Sequence, residues 1–140
     1  MADDSGTTVA ARPIRRRVVA LGALLLTVGA GLAVHLLAPD VAASDIAGDA
    51  LYAVAVYLAV VILLPRRRVV VTGLLAAVWC VGVELFQLIG VPLALGAVFP
   101  PIMLVLGTVF DARDIVVYLV TIVAVAVVDS ALRASRRVRA

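Results

Sequence analysis

The sequence predicts an all-α integral membrane protein, built as a bundle of four transmembrane helices. Of the 140 residues, 65% are hydrophobic, which is well above the level of soluble domains. Four apolar runs approach or reach the roughly 20 residues that a helix needs to cross the hydrocarbon of a bilayer. The twelve basic residues, all arginine, stand mainly beside the ends of these runs, as topology signals do. Because no aromatic residues are interleaved with them, no nucleic-acid partner is expected.

Four spans and two tails are predicted. The spans cover residues 18–37, 49–64, 69–89 and 115–132, and the second starts between Ile46 and Asp49. The region 18–132 is expected to form one transmembrane domain. Residues 1–17 are predicted to be a disordered cytoplasmic tail, because their first part is polar, and residues 133–140 a basic cytoplasmic tail. The first run is longer than the roughly 7–15 apolar residues of a signal peptide, so it is interpreted as a retained anchor.

A broken apolar segment separates the third and fourth spans. Residues 90–110 contain Pro92, Gly96, Pro100-Pro101 and Gly107. A short re-entrant or interfacial element is therefore predicted, with no spanning helix between residues 93 and 109, and it is expected to cap a pocket from outside. Since proline is tolerated in the first helical turn, Pro100-Pro101 is predicted to begin a short helix that runs to about Val109.

The arginine distribution predicts an N-in/C-in orientation. The short turn 65–68 makes the second and third spans an antiparallel hairpin. Four spans then place eleven arginines on one side and Arg113 alone on the other. By the positive-inside rule, the side with eleven arginines is cytoplasmic.

Glu84 and Gln87 are the central polar pair of the third span. They lie three residues apart on one helix face, and an ionisable residue inside a membrane marks a candidate functional site. Glu84 is expected to face the interior and to bond a partner from another span: Tyr52, Asp49 or Tyr118. Gln87 is expected to donate to Glu84 or to Asp114. The alternative is a structural hydrogen bond that fixes helix packing.

The other spans bring polar residues to the same depth. A rise of about 1.5 Å per residue places Glu84 about 22 Å and His35 about 25 Å from the cytoplasmic edge. The second and fourth spans begin with polar residues from the outer side. The predicted ligand-binding candidates are His35, Asp49, Tyr52, Glu84, Gln87, Arg113, Asp114 and Tyr118.

Simpler interpretations stay open for several polar residues. His35 is alternatively a membrane-interface histidine, and Asp49 an acid that the helix dipole favours in a first turn. Tyr57 lies off the polar face and is expected to be a packing aromatic. Cys80 is alone, so no disulfide is predicted and a packing role is expected. Asp129 and Arg133 are expected to pair at the membrane edge.

Several motifs together resemble a known family. Residues 48–52 (Gly-Asp-Ala-Leu-Tyr), 84–88 (Glu-Leu-Phe-Gln-Leu) and 104–107 (Leu-Val-Leu-Gly), followed by Asp114 and Tyr118, look like the small bacterial membrane family called domain of unknown function 2809. That family is in turn similar to the VanZ-like proteins. The resemblance covers residues 18–129 and implies a four-helix membrane protein of unassigned activity.

The chain departs from the pattern of this family at two positions. The family usually has an arginine shortly before Leu-x-Leu-Gly, whereas residues 97–103 contain none, and Arg113 is a candidate to replace it. The family also often has glycine where this chain has Thr121. The missing arginine weakens any mechanism of anion binding taken over from relatives.

Three functions fit these residues. The first is an outward-facing polar pocket in the plasma membrane of a bacterium that binds a lipid-like or cell-envelope-linked small molecule. The second is an enzyme acting on such a lipid, with Glu84 and Asp114 as an acid-base pair. The third is an accessory protein whose polar cluster only fixes helix packing. Membrane lipid is the expected partner. No metal or cofactor is predicted, since ligand spacings and nucleotide fingerprints are missing from the sequence, and the sequence leaves the oligomeric state open.

Overall fold

The fold is a bundle of four long helices with two short ones between the third and the last. The computed structural model describes residues 5–107 and 109–138, with side chains over residues 14–107 and 109–135. The helices are α1 (Ser5–Leu37), α2 (Ala42–Leu63), α3 (Val69–Leu88), α4 (Val91–Val98), α5 (Met103–Leu106) and α6 (Ala112–Val138). Four of them, α1, α2, α3 and α6, are long and apolar enough to cross a membrane. The predicted all-α class with four spans is confirmed.

Helix α2 lies at the centre of the packing. It contacts α1, α3 and α6, and α3 also packs on α6. Small residues allow these close approaches: Gly31 of α1 faces Leu51, and Gly73 of α3 faces Ile122. The buried hydrophobic cluster consists of Ala20, Ala53, Tyr57, Val61, Ala76, Cys80, Tyr118 and Ile122. Large apolar side chains cover the exposed faces of the spans, as contact with lipid requires.

The helix ends differ from the predicted ones. Helix α1 begins at Ser5, within the predicted tail of residues 1–17, and residues 1–4 lie outside the described part. Helix α2 begins at Ala42, before the predicted start between Ile46 and Asp49. Asp45 lies in its first turn, where the helix dipole favours an acid. The basic tail continues α6 as far as Val138.

Over its described residues, 89–107 and 109–111, the segment between α3 and α6 contains no spanning helix, as predicted. Gly90 ends α3 in the left-handed conformation, with φ of 75°. Helix α4 then has only eight residues, about 12 Å of rise. The prediction of a single short helix running to Val109 is wrong. Pro100–Ile102 forms a 3-10 turn, and α5 ends at Gly107.

The end of the bundle at which the arginines collect carries a polar cluster around Asp129. The Asp129 carboxylate pairs with Arg16 at 2.9 Å and with Arg133 at 3.2 Å, and the Tyr57 hydroxyl donates to it at 3.0 Å. The predicted pair of Asp129 and Arg133 is confirmed. Tyr57 is buried as a packing aromatic would be, but it also has this polar role. The sequence does not predict the contacts of Asp129 with Arg16 and Tyr57.

The arginines of this Asp129 cluster (Arg16, Tyr57, Asp129, Arg133) also bond backbone carbonyls near the turn between α2 and α3. Arg16 donates to the carbonyl of Pro65, and Arg133 donates to that of Arg67 at 3.2 Å. Arg17, beside the cluster, donates to the carbonyl of Ile62 at 3.0 Å. Carbonyls at the end of a helix lack partners within the helix, and the dipole favours cations there. The cluster therefore connects α1, the hairpin turn and α6.

We expect cysteine labelling to show which side of the membrane each end occupies. With an impermeant thiol reagent applied to intact cells, Ser44→Cys should label and Arg67→Cys should not, because eleven of the twelve arginines lie on the side of Arg67. The native Cys80 is fully buried and serves as an internal background control. Labelling of Arg67→Cys from outside would reverse the orientation.

We expect Asp129→Ala to destabilise the protein. The substitution leaves two arginines and the Tyr57 hydroxyl without their shared acceptor, a loss of about 1–3 kcal/mol. Thermal unfolding of the purified protein in detergent measures the effect. Asp40→Ala is the matched control, because Asp40 is exposed and makes no ion pair among the described residues. Equal melting temperatures for the two variants would contradict a structural role of the cluster.

Candidate functional site

An open pocket of about 820 Å³ lies at the end of the bundle opposite the Asp129 cluster. Its walls come from the last turns of α1, the first turns of α2 and α6, and the chain around Gly107. Six of the eight candidate residues line it: His35, Asp49, Gln87, Arg113, Asp114 and Tyr118. The polar residues of four different spans therefore meet at one end, as their common depth predicts. Tyr52 and Glu84 are not part of the pocket wall.

Glu84 is fully buried beside the pocket, with 0% of its surface exposed. Its Oε2 atom accepts a hydrogen bond from the backbone N–H of Asp111 at 3.3 Å, and the Tyr118 side chain lies next to the carboxyl group. The predicted interior position is confirmed. Of the three predicted partners, Tyr118 lies beside the carboxyl group, whereas neither Tyr52 nor Asp49 bonds it among the described residues. The irregular chain before α6 adds a backbone donor that the sequence does not predict.

Gln87 bonds the same irregular segment, one helical turn further along α3. Its Nε2 donates to the carbonyl of Leu106 at 2.7 Å, so the predicted bond to Glu84 or Asp114 is wrong. Gly107 makes this contact possible. Its φ of 65° and ψ of −165° belong to a region that is essentially restricted to glycine, and a Cβ atom there would collide with Gln87 Nε2. The backbone conformation and this close contact explain why glycine ends the Leu-Val-Leu-Gly motif.

Tyr52 contributes a third bond to this segment. Its hydroxyl donates to the carbonyl of Val105 at 2.7 Å and accepts a bond from Trp79 Nε1 at 3.0 Å. Its ring packs against the ring of Tyr118 with centroids 5.8 Å apart. Trp79 is absent from the predicted site, because a half-exposed tryptophan in an apolar run carries no sequence signal that distinguishes it from a lipid-facing residue.

Together, Tyr52, Glu84 and Gln87 form what we call the backbone clamp. Each side chain bonds one backbone group of the irregular segment: the carbonyl of Val105, the carbonyl of Leu106 or the amide of Asp111. Irregular backbone at membrane depth is tolerated only where protein or water satisfies it. The clamp therefore supports the alternative that Glu84 makes a structural hydrogen bond. It does not explain the polar groups that line the pocket.

Arg113 lies among three carboxylates at the mouth of the pocket. Its guanidinium is 3.8 Å from Asp45, 3.6 Å from Asp111 and 3.5 Å from Asp114. These negative charges oppose the approach of an anion. The geometry therefore does not support Arg113 as a replacement for the anion-binding arginine of the family.

Helix α6 is capped by the same region. The Asp111 side chain accepts a bond from the backbone N–H of Arg113 at 2.9 Å, which satisfies one of the free donors of the first turn. The cap fixes the start of α6 and thereby places Asp114 and Tyr118 in the pocket wall. On α2, Asp45 rather than Asp49 occupies the first turn. The interpretation of Asp49 as a first-turn acid is therefore wrong.

Several buried polar atoms of the pocket residues have no hydrogen-bond partner within the described part of the chain. Two are acceptors, Oδ2 of Asp49 and Oε1 of Gln87, and the other two, Oδ1 of Asp114 and Nε of Arg113, form an ion pair with each other at 3.5 Å. Over the same residues, no group of three or more His, Cys, Asp or Glu side chains is arranged to hold a metal ion. The chemistry that the pocket offers is therefore hydrogen-bond acceptance and negative charge.

The fold and the pocket define a class, that of small helical membrane proteins with a polar pocket at one end of the bundle. Within it, the chain belongs to the family described as "Protein of unknown function (DUF2809)", which matches residues 38–122. The match includes the backbone clamp and every candidate residue except His35. No curated protein and no solved structure gives a significant match. The similarity to VanZ-like proteins stays a prediction.

We expect Glu84→Gln and Glu84→Leu to have different effects on stability. Glutamine keeps an acceptor for the Asp111 amide, so its melting temperature in detergent should stay close to wild type. Leucine leaves that amide unpaired, at a cost of about 1–3 kcal/mol. The same melting temperature for both variants would show that the bond between Glu84 and Asp111 contributes nothing to the fold.

Proposed function

We propose that this chain is a protein of the bacterial plasma membrane whose pocket opens on the outer side and binds the polar head of a lipid-like or envelope-linked molecule. The observation that carries the proposal is the pocket of about 820 Å³ lined by six of the candidate residues. Pockets of this volume are typical of sites for small molecules. The outward direction follows from the orientation that the arginine distribution predicts.

The gap between α1 and α6 supports an amphiphilic ligand. Helix α1 packs on α2 and, within the described residues, makes no close backbone approach to α6. At the outer end this gap is the polar pocket. Nearer the Asp129 cluster, the same three helices enclose an apolar groove of about 220 Å³, lined mainly by residues such as Ala23, Val61 and Val125. A polar head and a hydrocarbon chain thus find matching surfaces along one side of the bundle.

The enzyme hypothesis receives less support from the geometry. It needs Glu84 and Asp114 to contact the same substrate, whereas Glu84 is fully buried, holds the Asp111 amide and does not line the pocket. The accessory hypothesis accounts for the backbone clamp. It does not account for Asp49, which lines the pocket beside Asp114 and bonds no backbone group of the irregular segment among the described residues.

Filling the pocket without removing a polar group tests the proposal. Gly48 lines the pocket, and a Cβ atom added there meets no other atom within 4 Å. We expect Gly48→Phe to abolish binding of a co-purifying amphiphile, measured by native mass spectrometry of protein extracted from its own membrane. Gly29→Phe is the matched control, since Gly29 also has open space around it but lies away from the pocket.

The control variant should keep the bound species, and both variants should keep the wild-type melting temperature. An equal amount of bound amphiphile on Gly48→Phe, or no bound amphiphile on the wild-type protein, would overturn the proposal.

A further inference from the structure

We infer that the pocket selects a head group with a primary ammonium, as in an aminophospholipid. The inference rests on the proposed function and names the class of its ligand. Three observations support it. The pocket wall is acidic, buried hydrogen-bond acceptors belong to the residues that line it, and its one arginine is already ion-paired with carboxylates.

The pocket wall is strongly acidic. Five carboxyl groups line it, on Asp40, Asp45, Asp49, Asp111 and Asp114, against one guanidinium and one imidazole. The guanidinium of Arg113 lies within 4 Å of three of these carboxylates, so its charge is already balanced. A cationic group is therefore attracted, whereas a head group with a net negative charge is repelled.

Gln87 has a buried side-chain oxygen that receives no hydrogen bond from the described residues. Its side chain is only 9% exposed, and its Oε1 atom has no partner in the described chain. Because its Nε2 donates to the carbonyl of Leu106, the amide cannot turn over, and the oxygen of this pocket-lining residue remains without a donor in this part of the protein. An unsatisfied buried acceptor destabilises the protein, so a ligand that donates to Oε1 recovers this energy.

Asp49 adds a second buried acceptor to the pocket wall, and the carboxyl group of Asp114, whose Oδ1 lies 3.5 Å from Arg113 Nε, lines the same pocket. Their carboxyl groups are close enough to interact. An ammonium group has three N–H donors and no acceptor, which suits a wall with several acceptors. A quaternary amine has the charge but no N–H, and a glycerol head has O–H donors but no positive charge. We therefore expect the pocket to distinguish the primary ammonium, quaternary amine and glycerol head groups by their charge and by their N–H or O–H donors.

Three phospholipid probes with identical acyl chains test the inference. The purified full-length protein in detergent is titrated with phosphatidylethanolamine, phosphatidylcholine or phosphatidylglycerol, and binding is measured by native mass spectrometry. We expect phosphatidylethanolamine to bind roughly tenfold more tightly than either other lipid, which corresponds to about 1.4 kcal/mol. Equal binding of the three lipids would overturn the inference.

Asp49→Asn supplies the matched variant. It keeps the shape of the side chain and its ability to hydrogen-bond the neighbouring Asp114, and it removes only the negative charge. We expect it to remove most of the preference for phosphatidylethanolamine at an unchanged melting temperature. Asp40→Asn makes the same change of charge at an exposed position of the wall and should keep most of the preference. Equal effects of the two variants would attribute the preference to overall charge and overturn the role of the buried acceptors.

A competition experiment distinguishes a lipid amine from a free amine. Free ethanolamine should fail to displace phosphatidylethanolamine at millimolar concentration, because it lacks the chain that the apolar groove holds, and displacement would overturn the lipid source. The Gly48→Phe variant separates the two proposals. Suppose that the three lipids bind the wild-type protein equally and that none of them binds Gly48→Phe. The proposal of a lipid-binding pocket would then be supported, and the inferred preference for an amine would be wrong.

Discussion

A backbone inside a membrane must have its polar groups hydrogen-bonded, and the chain between α3 and α6 meets this requirement without a spanning helix. Two short helices and a 3-10 turn leave groups at Val105, Leu106 and Asp111 without helical partners. Tyr52, Gln87 and Glu84 bond these groups. Their presence in otherwise apolar helices follows from this need. Because the clamp fixes the position of Asp111, which caps α6, it also determines where the pocket forms.

The polar residues at this end of the bundle divide into two sets. Tyr52 and Glu84 serve the irregular backbone and stand apart from the pocket, whereas Asp49 and Asp114 line the pocket and, within the described residues, bond no backbone group of this segment. Gln87 belongs to both sets, since its nitrogen holds Leu106 while its oxygen remains unpaired. A side chain that fixes the fold therefore also contributes to the proposed recognition of a ligand.

At the opposite end of the bundle, an ion pair links α1 to α6. Helix α1 packs on α2 and has no close backbone approach to α6 in the described residues, yet Arg16 reaches across to Asp129. This ion pair holds α1 near α6 at one end while the gap stays open at the other. A bundle closed along its whole length would have no room between these helices for a ligand. The proposed site therefore depends on the gap between α1 and α6.

The sequence by itself determined the four spans, the interrupted segment and the common depth of the polar residues. Long apolar runs, proline and glycine breaks, and a constant helical rise do not depend on how helices are turned against one another. Only the tertiary structure decided the partners: Asp111 for Glu84, Leu106 for Gln87, and Asp129 for Tyr57. A hydrogen bond tolerates errors of only a few tenths of an ångström. Such bonds depend on helix rotation and on the path of an irregular backbone, which the spacing of residues along a chain does not specify.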